Sequence, residues 1–477
     1  MDRGRRAACD GTGMTLDFID RQTLGEPLYA GLAAGIEQAI RDGRLTPGER
    51  LPTHRALARD LGLSVHTVSK AYDRLRQHDL IEGHVGRGSY VADPAGRDAP
   101  PYALAPSEDE LCDLAISRPL FDPRHDAAFR AVLRDMAATV DPAVMLATRP
   151  NVGLPAHRAA GAEWLARLGV AARASEVILT NGVAHGMAAA LSATTRPGDV
   201  VLADAVTHHL VISLCRSLGL TLIGLEGDAE GMRPEALDRA CRAQDARVLV
   251  TMPALTAPTA GLMGAARRRE IARLAARHDL TVIENDAYGA LLQDAPPPIS
   301  AFARDRSVYL TTFTKCTLPG VRAGYMVGPD RLYAALLSRV MVFSWAATPL
   351  ACEIAARWVQ DGTAAALADW QRAALGERGR MAHAVLGRHG LRGHPGGLHY
   401  WLPLSGGWTS ADFLRQAEAR GIVLAPAEPF LTRQAAPVQA VRISVGGVAD
   451  GDRFKAALQR IADLLDEAPG TGMPVHY

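Results

Sequence analysis

Between residues 177 and 327, short strand-like runs alternate with amphipathic helical stretches, and this alternation constrains the fold more than any other feature of the chain. The runs fall at 177–180, 200–203, 220–225, 247–252, 281–284, 308–312 and 325–327, with helical stretches at 156–168, 184–194, 208–218, 234–243 and 264–278. Strands separated by helices predict a mostly parallel sheet sandwiched by helices, because each crossover must return over one face. Ligands of such sheets sit beyond the carboxyl ends of the strands. The chain has 477 residues, which at roughly 150 residues per domain allows two to four units. With 48% hydrophobic residues it can bury a large core.

Several classes are disfavoured at the outset. A net charge of +1 gives no global field towards nucleic acid or membrane, so any DNA contact must be local. No apolar run approaches the roughly 18 residues of a spanning helix. The basic start at Arg3, Arg5 and Arg6 is not followed by an apolar stretch, so no signal peptide is expected. Six scattered cysteines without a C-x-x-C pair read as reduced thiols of a cytoplasmic protein, with neither a disulfide frame nor a metal site.

Four segments follow from patterning: an arm at 1–24, a compact helical unit at 25–92, a Pro- and Ala-rich acidic linker at 93–111, and a large α/β domain at 112–468. In the helical unit, Leu28, Leu32, Ile36 and Ile40 make one amphipathic helix closed by Gly43. Thr53 can cap a short helix that stops at Gly62. Ser64 can cap the next, with an apolar face of Val65, Val68, Tyr72 and Leu75. Two helices joined by three residues make a helix-turn-helix. Residues 80–83 and 89–91 flank a Gly-rich turn, which predicts a β-hairpin wing. In that frame Ser64, His66 and Thr67, with Lys70 one turn on, would face base edges or phosphates, and Arg55 and Arg87 would meet phosphates. The local charge excess is small, six basic against four acidic residues from 53 to 90, so charge alone leaves a generic helical bundle open.

Motif detail goes further. Ile40-x-x-Gly43-x-Leu45-x-Pro47-Gly48-x-x-Leu51-Pro52, Leu61-Gly62-Leu63-Ser64-x-x-Thr67-Val68 and Gly86-x-Gly88-Ser89-Tyr90-Val91 resemble the GntR superfamily winged helix over 27–91. The resemblance implies a double-stranded DNA operator as partner. One position departs from it: Val65 stands where the family often has arginine, so a base contact is missing or replaced.

The large domain holds one conspicuous chemical group. Of 52 basic residues only Lys70, Lys315 and Lys455 are lysines, and only a lysine offers an amine for Schiff-base chemistry. Lys315 lies in Thr312-Phe313-Thr314-Lys315, followed by Pro319-Gly320-Val321-Arg322-Ala323-Gly324. A hydroxyl and an arginine fork nearby suit a phosphate. Spacing alone also allows an ion-paired structural lysine. The motif resembles the cofactor-lysine motif of fold-type-I aminotransferases, a resemblance that runs from about 112 to 450. A GntR head joined to such a domain is the layout of the MocR subfamily of regulators.

That resemblance implies a fold-type-I transferase with a smaller C-terminal α/β subdomain, and pyridoxal 5'-phosphate as cofactor. Lys315 would be its Schiff-base lysine. Val183 and Ala184 would offer backbone amides to the phosphate at a helix start, with Thr312 and Arg322 beside them. His208 falls where the family usually stacks a tyrosine on the ring, although a surface histidine is also consistent. Tyr288 would donate to the phenolic oxygen, and Arg442 would clamp a substrate carboxylate. Two departures bear on mechanism. Ala257 replaces the asparagine of an N-P-T-G turn. The pyridine partner is either Asn285 or Asp286, depending on the count back from Tyr288. A carboxylate there keeps the ring nitrogen protonated, and a neutral Asn does not.

The expected function is a DNA-binding transcriptional regulator, a homodimer whose large domain senses pyridoxal phosphate or an amino-acid-like compound through an aldimine at Lys315. The alternative is a working aminotransferase with an accessory head.

Overall fold

The computed structural model describes residues 19, 21, 24–25, 27–46, 48–77, 80–84, 88–92, 111–146, 149–467 and 469. The chain divides into two units, Met1–Ala103 and Leu104–Tyr477.

Among the described residues the first unit has three helices, α1 (Leu28–Arg41), α2 (His54–Asp60) and α3 (Val65–Gln77), and a hairpin of β1 (Ile81–His84) and β2 (Gly88–Val91). Leu32, Ala33, Ile36 and Ala39 form the buried stripe of α1, against Leu57, Val68, Ala71, Tyr72 and Leu75. Each large aliphatic chain so buried contributes about 1.5–3 kcal/mol. The cap of α2 and the turn between α2 and α3 have the chemistry expected of them. Thr53 Oγ1 accepts from Ala56 N–H at 3.2 Å, Gly62 takes φ +61°, and Ser64 Oγ accepts from Thr67 N–H at 3.0 Å. The Tyr72 hydroxyl donates to the Pro52 carbonyl at 2.9 Å, tying α3 to the connector before α2. That connector also extends the hairpin, Leu51 N–H donating to the Ser89 carbonyl at 2.8 Å. Val65 corrects one expectation: it is 49% exposed and outside the core, so the buried face of α3 starts at Val68.

The second unit is organised by a seven-stranded sheet of β4 (Ile178–Thr180), β5 (Val200–Asp204), β6 (Thr221–Leu225), β9 (Ala246–Thr251), β10 (Thr281–Asp286), β11 (Ser307–Thr312) and β12 (Gly324–Val327). Its order is β4-β12-β11-β10-β9-β5-β6, parallel except that β12 runs antiparallel to both neighbours. The residues between β11 and β12, Lys315 among them, fold straight back instead of crossing over. Helices Val183–Thr194 and Asp330–Ser344 cover one face around Ile283, Leu310 and Met187. On the other, helix Pro155–Arg167 lies so near β12 that a Cβ on Gly161 would fall 2.7 Å from the Tyr325 ring. A short hairpin, β7 (Gly227–Asp228) with β8 (Gly231–Met232), follows β6.

A smaller layer closes the unit. β13 (His399–Pro403), β15 (Ala425–Pro426) and β16 (Ala440–Ser444) form an antiparallel sheet. β14 (Ile422–Val423) pairs with β3 (Cys112–Asp113), the first strand of the unit. Helices Ser410–Ala419 and Gly451–Asp466 pack into the same apolar core as Trp164, Phe313 and Tyr325. Among the described residues no helix is long and apolar enough to cross a membrane.

Candidate functional site

Lys315 sits in a tight turn just past the carboxyl end of β11. The Phe313 carbonyl holds this turn, accepting from Thr317 N–H and Thr317 Oγ1, each at 3.0 Å. Phe313 is fully buried against Trp164 and Tyr325, which fixes the direction in which the lysine leaves the backbone. Burial holds the Lys315 ammonium below the usual lysine range; Tyr288 opposes this, while Arg442 and Arg322 push the same way. A primary amine so placed reaches its neutral, nucleophilic form more readily. Its Nζ lies 6.0 Å from the Tyr288 ring centre and donates to the Ser117 carbonyl.

Beside the lysine is an anion cradle. Gly182, at φ +79°, starts helix Val183–Thr194 without a side-chain cap, and the first amides of a helix, here those of Val183, Ala184 and His185, have no carbonyl within the helix to bond. A Cβ at Gly182 would stand 3.4 Å from Thr312 Oγ1 and 3.9 Å from Thr314 Oγ1, so the helix start and both hydroxyls share one small space. The two hydroxyls are themselves 2.9 Å apart, and Thr312 Oγ1 also donates to the Ala323 carbonyl at 3.0 Å. Arg322 is exposed and close enough to depress Lys315. An N-terminal helix dipole, hydroxyls and a guanidinium together suit a phosphate. Asn181 is not available to it: its amide donates to Ser344 Oγ at 2.7 Å and accepts from Thr348 N–H at 2.8 Å.

Sheet parity separates the two candidates for the pyridine partner. Asn285 pairs with Leu310 and shares a face with it and with Thr312, the side covered by helix Val183–Thr194. Asp286 pairs with Thr311 and points to the opposite face, where the Tyr309 hydroxyl donates to its carboxylate. Burial pushes the Asp286 carboxyl up, and Tyr309 and Arg268 pull it back. Asp286 thus differs from expectation in placement: side chains alternate across a strand, and this one leaves from the face opposite Asn285. Asn285 spends its oxygen on Ala287 N–H at 3.2 Å. Its remaining amide hydrogens can donate to a ring nitrogen but cannot protonate it.

The rest of the pocket is basic. His208 Nδ1 accepts from Leu210 N–H at 3.1 Å and caps helix His209–Ser217. Its ring stacks on His209 with centres 4.3 Å apart, so the side chain is half-buried rather than on the open surface. His209 in turn meets the edge of Phe430 at 5.7 Å, and the Arg442 guanidinium lies 5.0 Å over that same ring. Arg442 also donates to the Ala115 carbonyl. His399, which sequence reading did not single out, is fully buried 5.5 Å from Tyr288 and shares Nε2 with the Thr256 carbonyl at 3.4 Å. A lone histidine on a strand gave no signal of this. Burial, then Arg442 and Lys315, brings His209 down to about 4; burial, then Arg442, brings His399 down to about 3. His208 is held well below its usual value by burial and by His209. All three imidazoles are neutral near pH 7.

In the first unit, Arg55, Ser64, His66 and Lys70 are exposed on α2 and α3 and on the turn between them. Ser64 and Thr67 differ from expectation in availability, because their hydroxyls lie 2.8 Å apart and hold each other while capping α3. Lys70 Nζ stands 5.7 Å over the Tyr29 ring. Arg87 lies outside the described residues.

Comparison with known proteins matches residues 109–461 to the family described as aminotransferase class I and II, and residues 28–91 to bacterial regulatory proteins of the gntR family. The chain is 26% identical over 445 residues to the HTH-type transcriptional regulator YdeF of Bacillus subtilis, covering 93% of this chain and 95% of that one. It is 27% identical over 316 residues to the HTH-type pyridoxine biosynthesis transcriptional regulator PdxR of Corynebacterium glutamicum, covering 62% and 65%. Among solved structures, kynurenine aminotransferase of Pyrococcus horikoshii superposes with a TM-score of 0.69 at 22% identity, over 75% of this chain and 91% of that one. LysN, the alpha-aminoadipate aminotransferase of Thermus thermophilus, gives 0.68 at 22% identity, over 75% and 92%.

Proposed function

The chain belongs to the aminotransferase class I and II family, and from that premise we propose that it is a transcriptional regulator in which pyridoxal phosphate, or an amino compound that meets it, controls DNA binding by the head. The family implies pyridoxal phosphate as cofactor, and the residues present fit it. The start of helix Val183–Thr194, Thr312, Thr314 and Arg322 would hold the phosphate. Tyr288 and Asn285 would orient the ring, with His208 against it, and Lys315 would be its covalent anchor. When bound, the cofactor supplies an aldehyde with which a primary amine condenses, water leaving as the C=N bond forms.

The observation that carries the reading is the pairing, in one chain, of a gntR-family head with a half-buried lysine, its ammonium held below the usual range, beside an anion cradle. Asn285 favours a sensor over an efficient catalyst. An amide cannot hold the ring nitrogen protonated, so electron withdrawal is weak while capture of an amine survives. Arg442 would take the carboxylate of an amino-acid-like effector. The neutral imidazoles beside it add hydrogen-bonding groups without adding positive charge. The head reads a double-stranded operator through α3 and its flanks. The protein acts in the cytoplasm as a homodimer, so that two heads read two half-sites.

The test is DNA binding to the region upstream of the protein's own gene, with and without pyridoxal phosphate, for the wild type and Lys315→Ala. The reading requires that the cofactor change affinity or footprint in the wild type only. Equal responses in both proteins would sink it, and rapid transamination with no DNA binding would replace it with an enzyme.

A further inference from the structure

Residues 112–120 cross the pocket as a strap that is tied on both sides. At one end Cys112 N–H donates to the Gly421 carbonyl and Leu114 N–H to the Val423 carbonyl, each at 2.8 Å, as β3 pairs with β14. In the middle Ser444 N–H donates to the Leu114 carbonyl at 2.7 Å. Further on, Arg118 donates to the Gly447 carbonyl at 2.7 Å. Contact with the loop after β16 is tight enough to exclude a methyl group. A Cβ at Gly447 would fall 1.9 Å from the Asp113 carbonyl oxygen, and one at Gly446 would fall 1.9 Å from that of Arg118. Asp113 Oδ1 accepts from Ala115 N–H at 2.8 Å and bends the strap, so that the carbonyls of Ala115 and Ser117 are used inside the pocket. Ala115 accepts from Arg442, and Ser117 accepts from Lys315. The two cations assigned to ligand are thus the two that the strap caps.

Chain order gives this arrangement a consequence. The strap begins at residue 112, where the linker from the head ends, and no other pocket-lining segment is so near the head in sequence. We propose that residues 112–120 report occupancy of Lys315 and Arg442 to the linker, loosening when a ligand takes those cations from the carbonyls of Ser117 and Ala115. The inference rests on Lys315 being the covalent anchor. When its ammonium condenses with an aldehyde, a C=N bond replaces C=O, and the oxygen departs as water with two of the three nitrogen-bound hydrogens. At most one N–H then remains where three could serve Ser117. A ligand carboxylate at Arg442 competes with Ala115 in the same way. Ligand and tight strap therefore bind the same donors, which is the differential affinity that a population shift requires.

Amide hydrogen exchange on the full chain tests this, with pyridoxal phosphate as the probe and its visible absorption band as a separate record of loading. The strap predicts exchange at least tenfold faster across 112–118 on loading, with the amides of β9 and β10 unchanged. Loading with unchanged or slower exchange at 112–118 overturns the strap alone. Absence of any visible band overturns the strap and the Lys315 reading together. Gly447→Ala supplies a second arm, because its methyl lifts the strap without touching Lys315 or Arg442. The cofactor-free variant should bind the upstream DNA within threefold of the loaded wild type and no longer respond to the cofactor. A folded Gly447→Ala protein with the full wild-type response overturns the proposal; where that variant does not fold, the exchange result decides.

Discussion

The head carries its chemistry on two short helices and the turn between them, whereas the large unit assembles its site from segments scattered along more than three hundred residues. In the head, Ser64, His66 and Lys70 fall within seven consecutive residues, and their exposure follows from the period of one helix. In the large unit, Ser117, Gly182, His208, Tyr288, Lys315, His399 and Arg442 converge only because successive strands end at one edge of the sheet and a second sheet folds over it. A local site tolerates change around it as long as its helix stays folded. An assembled site depends on every element that contributes a residue. The two regions should therefore fail separately and in different ways.

The largest expected effect is at Lys315. Lys315→Ala should abolish the visible absorption band of the bound cofactor and remove the whole cofactor-dependent difference in DNA binding. Cofactor-free DNA affinity of Lys315→Ala should shift towards that of the loaded wild type, because the substitution also removes the tie to the Ser117 carbonyl. An unchanged cofactor-free affinity would mean that this tie does not reach the head.

Ile36→Ala attacks the other side of the comparison. Ile36 is fully buried in the head, and loss of its side chain should cost about 2–5 kcal/mol. DNA binding should collapse while the cofactor band survives. Loss of both signals at the same denaturant concentration would show one cooperative unit instead of two.

His399 sharpens the comparison through pH. The folded protein holds it at about 3, against roughly 6.5 for an unfolded histidine. Between those values only the unfolded chain takes up the proton, so stability is full above about pH 6.5 and falls as the pH drops. His399→Gln should reduce the loss between pH 7 and pH 5 by about 1–2 kcal/mol, measured as urea midpoints of the large unit. An unchanged pH slope would place the titration elsewhere.

The smallest effect belongs to the head surface. Lys70→Ala should weaken DNA binding by roughly 1 kcal/mol and lower the slope of log affinity against log salt by about one. An affinity loss without a change in slope would argue that Lys70 serves α3 through the Tyr29 ring and not the phosphates.

Much of this protein is legible in its residues, for identifiable reasons. Strand and helix positions in the sheet domain follow from apolar periodicity, and the observed elements lie within a few residues of those expected. The capped turns at Thr53, Gly62 and Ser64 are local chemistry and can be read one residue at a time. Lys315 stands out because the chain has almost no other lysine. Val65 misled because helical periodicity marks a stripe and not its ends; the first turn of α3 projects beyond the core.

The two-part layout and the α/β class follow from the residues alone, and so does the scarcity of lysine that makes Lys315 conspicuous. Each of these depends on local pattern or on the scarcity of one residue type. The opposite faces of Asn285 and Asp286 belong to the tertiary structure, because a one-residue step along a strand reverses the face and no count of spacing reveals which face meets the helix start. Only the tertiary structure brought His399 to Tyr288, paired the hydroxyls of Ser64 and Thr67, and laid the carbonyls of Ala115 and Ser117 on Arg442 and Lys315. Contacts between residues more than a hundred positions apart come from strand order and layer packing, which one-dimensional patterns do not contain.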